Sequence, residues 1–186
     1  MNFIRSSHCF GPMLLLAALT LPPISAAQQQ PATTQQASTE TILKPADLTG
    51  KMPAEVFFRG QSATVQLRNS GGVRYTDGML TLVGLVDTSG YSSGIQQKYQ
   101  AYLLTEVTLI MDGHRLPPGA YGVGFVAGDR FVVMDIGEHD LFSAKSIRDD
   151  TLHRPTPMQV LAAPEAHQYR LYAGRAYTTF MRAAHE

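Results

Sequence analysis

The run with the most specific chemical form is Gly90-Tyr91-Ser92-Ser93-Gly94, a G-x-S-x-G pattern. In a hydrolase elbow the serine occupies a strained turn from strand to helix, which lifts its hydroxyl above the sheet. An apolar stretch precedes the run, and Asp135 with His139 or His153 would supply the acid and base of a triad. Against that chemistry, the elbow belongs to a parallel sheet flanked by helices, and Asp87-Thr88-Ser89 separates the stretch from the motif. A Gly/Ser-rich loop ending in a helix cap accounts for the same residues. Ser92 is therefore an alternative nucleophile, and no catalytic residue is expected.

Metal chemistry is the next reading, because Glu138-His139-Asp140 sets three ligand types side by side and His114, His153, His167 and His185 lie elsewhere. Ligands usually recur at fixed offsets such as H-E-x-x-H, and none do here. The run reads as a polar turn, and no metal is expected. Gly122-x-Gly124 lacks the third glycine and the helix start of a dinucleotide loop, and Phe125-Val126 continues as strand. Those glycines are expected to admit a neighbouring backbone or aromatic ring, and no cofactor is expected.

Asp87, Glu106 and Asp112 are the carboxylates that a glycosidase-like cleft would pair, at a separation that only a fold can fix. The sequence has no Trp to stack on a sugar. Tyr91, Tyr99 and Tyr102 surround one loop and are expected to anchor it to a sheet. The remaining polar concentration is Arg68, Asn69, Asp87, Thr88, Ser89 and Tyr91. Polar loops at strand ends are where binding sites sit, so these six are the ligand-binding candidates, with solvated turns as the alternative.

The elements that must position these residues follow from a period of two that sets in after Pro53. Val56-Phe57-Phe58, Thr64 to Arg68, Met79 to Val86, Val107 to Met111, Ala120 to Ala127, Phe131 to Ile136, Leu141 to Ile147, Met158 to Leu161, Tyr169 to Tyr172 and Arg175 to Met181 read as strands. Asn69-Ser70-Gly71-Gly72, Thr76-Asp77-Gly78, Asp112-Gly113 and Gly128-Asp129 read as turns. Ser93-Gly94-Ile95-Gln96 has the form of a capping box, and it opens at most one short helix near residues 94–104, the alternative being another strand that starts near Tyr99. About ten short strands so closely spaced leave no room for crossover helices. The expected fold is mainly β, an antiparallel β-sandwich or partly closed barrel.

Asp112-Gly113-His114-Arg115-Leu116-Pro117-Pro118-Gly119-Ala120-Tyr121 enters a strand through an L-P-x-G-x-Y run and leads to a hairpin ending at Ile136. That stretch resembles bacterial exported β-domains. One group is the carboxypeptidase regulatory-like, transthyretin-like sandwich, and the other is an uncharacterised group of extracytoplasmic β-proteins. The resemblance implies sandwich architecture and carries no catalytic residues.

Fifteen Lys and Arg balance fifteen Asp and Glu across 186 residues. Nucleic acid is therefore not an expected partner, because phosphate binding needs a cationic surplus. Arg5 and His8, an apolar stretch from Phe10 to Leu21, Pro22-Pro23 and the small residues Ser25-Ala26-Ala27 read as a cleavable signal peptide over residues 1–27. Residues 28–41, rich in Gln, Ala and Thr, read as a flexible leader, and 42–186 as a single β domain. Cys9 precedes the apolar stretch, so the mature chain should hold no thiol and no transmembrane segment. The expected product is periplasmic or secreted: a non-enzymatic binding or envelope-associated module for an unidentified protein or small molecule. The alternative is an extracytoplasmic serine hydrolase using the Gly90–Gly94 loop.

Overall fold

In the computed structural model, which describes residues 39–184, the chain opens with β1 (Thr41–Leu43) and a 3-10 turn at Pro45–Leu48. The expected signal peptide and residues 28–38 of the leader lie outside the described residues. A hairpin follows, β2 (Glu55–Phe58) to the long β3 (Gln61–Arg74), then β4 (Leu80–Val86), α1 (Ser93–Lys98) and β5 (Ala101–Thr105). The short hairpin of β6 (Leu109–Met111) and β7 (His114–Leu116) precedes a longer one, β8 (Gly119–Val126) and β9 (Arg130–Met134). The chain closes through β10 (Asp140–Lys145), β11 (Ile147–Arg148), β12 (Gln159–Ala162), β13 (Gln168–Ala173) and β14 (Ala176–Arg182).

These strands form two antiparallel sheets in a sandwich-like arrangement without a closed barrel. The larger runs β1-β3-β4-β5-β8-β9-β10 with β2 paired to β3, and the smaller runs β12-β13-β14-β6-β7 with β11 paired to β14. The fourteen strands among the described residues exceed the ten expected, because β5 occupies part of the stretch expected to be helical and β1, β7 and β11 span three residues or fewer. Strands that short carry too little alternation to be seen in a sequence. Among the described residues no helix is long and apolar enough to cross a membrane.

The central strands of the larger sheet are buried on both faces. Val83, Leu103, Val123, Phe131 and Val133 point into the core shared with the smaller sheet, where they meet Leu109, Leu171 and Phe180. Leu82, Val86, Tyr102, Val132 and Met134 point the other way, into a second core capped by Leu48, Met52, Phe58, Ile95 and Tyr99. The run Met79 to Val86 is nearly continuous apolar for this reason: neighbouring side chains enter different cores. Gly122 and Gly124 lie on the second-core face of β8. A Cβ at Gly122 would enter the Phe58 ring, and one at Gly124 would strike the Lys98 carbonyl oxygen. An aromatic ring and a backbone do approach them, as their sequence setting suggests.

Four local readings are corrected. The helix ends at Lys98, and Tyr99 to Leu103, which fit helical spacing, leave it for β5. Ala101 and Leu103 face one core and Tyr102 the other, so a strand buried on both sides mimicked an amphipathic helix. Ser92 rather than Ser93 is the N-cap, without a side-chain cap, and Gln96 Nε2 donates instead to the Tyr91 carbonyl at 2.8 Å. Asn69-Ser70-Gly71-Gly72 is not a turn but the middle of β3. Gly72 pairs with Leu82 so closely that a Cβ there would strike the Thr81 carbonyl oxygen. Thr41, placed by composition in the leader, is the first residue of β1.

The Asp112-Gly113 hairpin forms as expected, with φ of 48° and 80°. Beyond it the Tyr121 hydroxyl donates to the Pro117 carbonyl at 2.9 Å and closes the Pro117-Pro118 bend.

Candidate functional site

Between the pairs Val65↔Val86 and Ser70↔Gly84 the ladder of β3 and β4 slips. Residues 66–69 of β3 stand opposite Leu85 alone, so this stretch is extruded as a wide bulge. The bulge is braced from within: Asn69 Nδ2 donates to Gln66 Oε1 at 2.9 Å, and Ser70 Oγ donates to the Leu67 carbonyl. Its consequence is the placement of Arg68, which is exposed and released from the alternation of the strand. Bulges commonly re-aim a side chain next to a site.

Arg68 borders a cleft of about 230 Å³ where the flanks of the two sheets meet. One wall is β1 with the bulged part of β3, and the other is β12 with the residues that lead into it. Ile42, Leu43, Pro45, Met158, Val160 and Leu161 make the walls largely apolar. Gly71 sets the approach of the sheets, since a Cβ there would lie 3.0 Å from Val160 N. Among the described residues Lys44 and Arg68 are the charged ones that line the cleft, and no Asp or Glu does. Neither cation forms an ion pair among the described residues. An apolar cleft with a few convergent polar groups is the general form of a small-ligand site.

The other candidates lie apart from this cleft. Asp87 accepts the Ser89 N–H at 3.0 Å, and hydrogen bonds from the Ser89 backbone and side chain hold its carboxyl below the usual range. Thr88 accepts the Tyr91 N–H through its carbonyl at 3.0 Å, completing a tight loop. The Tyr91 hydroxyl reaches the carbonyls of Phe58 and Gln61 at 3.0 and 3.1 Å, and its ring stands edge-on to Phe58 and Tyr99. Tyr99 in turn stacks on Phe58 at 3.8 Å. Burial pushes the Tyr91, Tyr99 and Tyr102 hydroxyls up, so all three stay neutral. The Asp87–Tyr91 loop is thus tied to the β2–β3 hairpin. Of the six candidates, the structure brings only Arg68 and Asn69 to the bulge beside the cleft.

Ser92 is exposed at the start of α1, and its carbonyl accepts the Gln96 N–H at 3.0 Å. Asp135 and His139 do pair, Nδ1 to Oδ2 at 2.9 Å, within the β9–β10 turn. No hydrogen bond among the described residues links either of them, or His153, to Ser92. Among the described residues no group of three or more His, Cys, Asp or Glu is gathered to hold a metal ion. Glu138 turns to Arg59 and Asp140 to Lys98, each in an ion pair.

Two polar clusters escaped the sequence reading. Glu40 Oε2 accepts from the Tyr169 hydroxyl at 2.6 Å and contacts His167 Nδ1 at 2.8 Å. Burial opposes ionisation of Glu40, but the hydrogen bonds of Tyr169 and His167 outweigh it and hold the carboxyl below its usual range. Inside the main core, the hydroxyls of Tyr75, Thr81 and Thr105 form a chain with spacings of 3.1 and 3.0 Å. Thr105 Oγ1 donates to the Val107 carbonyl at 2.7 Å, so Thr81 must donate to Thr105 and Tyr75 to Thr81. Burial pushes the Tyr75 hydroxyl up to about 12, which keeps that donor protonated.

Searches against family models, curated proteins and solved structures find no match for this chain.

Proposed function

We propose that this chain is an exported, non-catalytic binding domain, whose ligand enters the cleft between β1, the β3 bulge and β12. The observation that carries the reading is the extrusion of Arg68, an arginine without an ion pair among the described residues, beside a small apolar cleft. Export rests on the expected signal peptide, and the binding role on the cleft.

The alternative, a serine hydrolase, is favoured by one feature, the Asp135–His139 pair. Its weakness is the isolation of the Ser92 hydroxyl, which makes no hydrogen bond to a base in the described residues. Treatment of the purified protein with a fluorophosphonate probe separates the two. The binding reading expects no covalent label. Labelling that disappears in Ser92→Ala would overturn it.

A further inference from the structure

The chemistry of the cleft narrows its ligand. Two cationic side chains, Lys44 and Arg68, border it, and every other described lining residue is uncharged. A guanidinium without an ion pair among the described residues, beside a low-dielectric wall, favours an anion that accepts two parallel N–H bonds, the geometry of a carboxylate. The walls ask for hydrocarbon: Ile42, Val160 and Leu161 present branched aliphatic surface on both sides. At about 230 Å³ the space falls just below the range of about 300–1,000 Å³ typical of drug-sized ligands. A long acyl tail does not fit within it, whereas a chain of several carbons does.

We infer that the cleft binds a free aliphatic carboxylate of medium chain length, with its carboxylate at Arg68 and its chain between β1 and β12. This rests on the binding reading above and goes further by fixing the class of ligand. Lys44 adds long-range attraction at the rim. The Gly71 backbone keeps the walls close enough to grip a single chain.

The test is titration of the purified protein, with labelled Ile, Leu and Val methyl groups, against butanoate, hexanoate, octanoate and decanoate. Octanol serves as the uncharged counterpart. The expected result is movement of the Ile42, Val160 and Leu161 methyl signals. Each added methylene should tighten binding by about fourfold, equivalent to ~0.8 kcal/mol per buried methylene, until the cleft is full. Octanol should bind at least about tenfold more weakly than octanoate, and Arg68→Gln should remove that difference. Because the Arg68 side chain is exposed and makes no hydrogen bond among the described residues, the variant should unfold at the wild-type temperature, which is checked in parallel. Equal binding of octanol and octanoate at the same methyl signals, unmoved by Arg68→Gln, would overturn the carboxylate while leaving the cleft a binding site. Tighter binding of a short peptide with a free apolar carboxy terminus than of any alkanoate would overturn the ligand class. Failure of every probe to shift those methyl signals would overturn the cleft reading itself.

Discussion

The Tyr169 hydroxyl donates to Glu40 Oε2 at 2.6 Å, joining residues 129 positions apart and pinning the chain just before β1 to β13. Because Glu40 is held below its ordinary value of 4.5 in the folded protein, its contribution to stability is complete above that value. It is lost as pH falls through the depressed folded value. Glu40→Gln keeps an acceptor but cannot ionise. Urea midpoints measured between about pH 5 and pH 2 should fall less steeply for this variant than for the wild type. Tyr169→Phe should cost about 1.5–3 kcal/mol at neutral pH, the range for a hydrogen bond to a charged group. Parallel acid profiles for wild type and Glu40→Gln would contradict the assignment.

The direction of the Tyr75–Thr81–Thr105 chain makes its members unequal. Thr105→Val strands the donor of Thr81 and also the Val107 N–H, which lies 3.3 Å from Thr105 Oγ1. Tyr75→Phe removes only the donor at the head of the chain and leaves Thr81 and Thr105 bonded. Thr105→Val should therefore destabilise by about 2–3 kcal/mol and Tyr75→Phe by about 1 kcal/mol, read from chemical denaturation. A reversed ranking would mean that the protons run the other way.

Glycines on β8 and α1 should respond to alanine with opposite signs. At Gly124 the new methyl meets the Lys98 carbonyl, a backbone atom that cannot swing aside, and at Gly122 it meets the buried Phe58 ring. Each substitution should cost about 1–3 kcal/mol through overpacking. Gly94 lies within α1 with open space around it, so Gly94→Ala should raise stability by about 0.5–1 kcal/mol. Thermal unfolding midpoints of the three variants decide the matter.

How much of this was legible follows from the range of the forces involved. The strands β2 and β3 and the Asp112-Gly113 turn were readable because their signals are local: short apolar or alternating runs, and residues that accept positive φ. The close approach at Gly122 and Gly124 was readable because glycine inside a strand has few other uses. Asn69-Ser70-Gly71-Gly72 misled, since turn-forming residues within a strand also serve a bulge and the tight seating of Thr81 and Val160. The same ambiguity still drew attention to Arg68 and Asn69, which the bulge sets beside the cleft. The other wall of the cleft, Met158 to Leu161, lies some ninety residues downstream, and no local pattern announces that it will meet Arg68. Glu40 was hidden in the same way, inside a Gln- and Thr-rich stretch that reads as unstructured by composition.

The second core is roofed by chain that arrives before β3, with Leu43, Leu48, Met52, Val56 and Phe58 all supplied upstream of the exposed Arg59-Gly60 turn. A protease that nicks this turn would therefore do more than shorten the protein. Once the severed piece diffused off, Leu82, Val132 and Met134 would be bared to water as a sticky oily underside, and clipped molecules would clump through it.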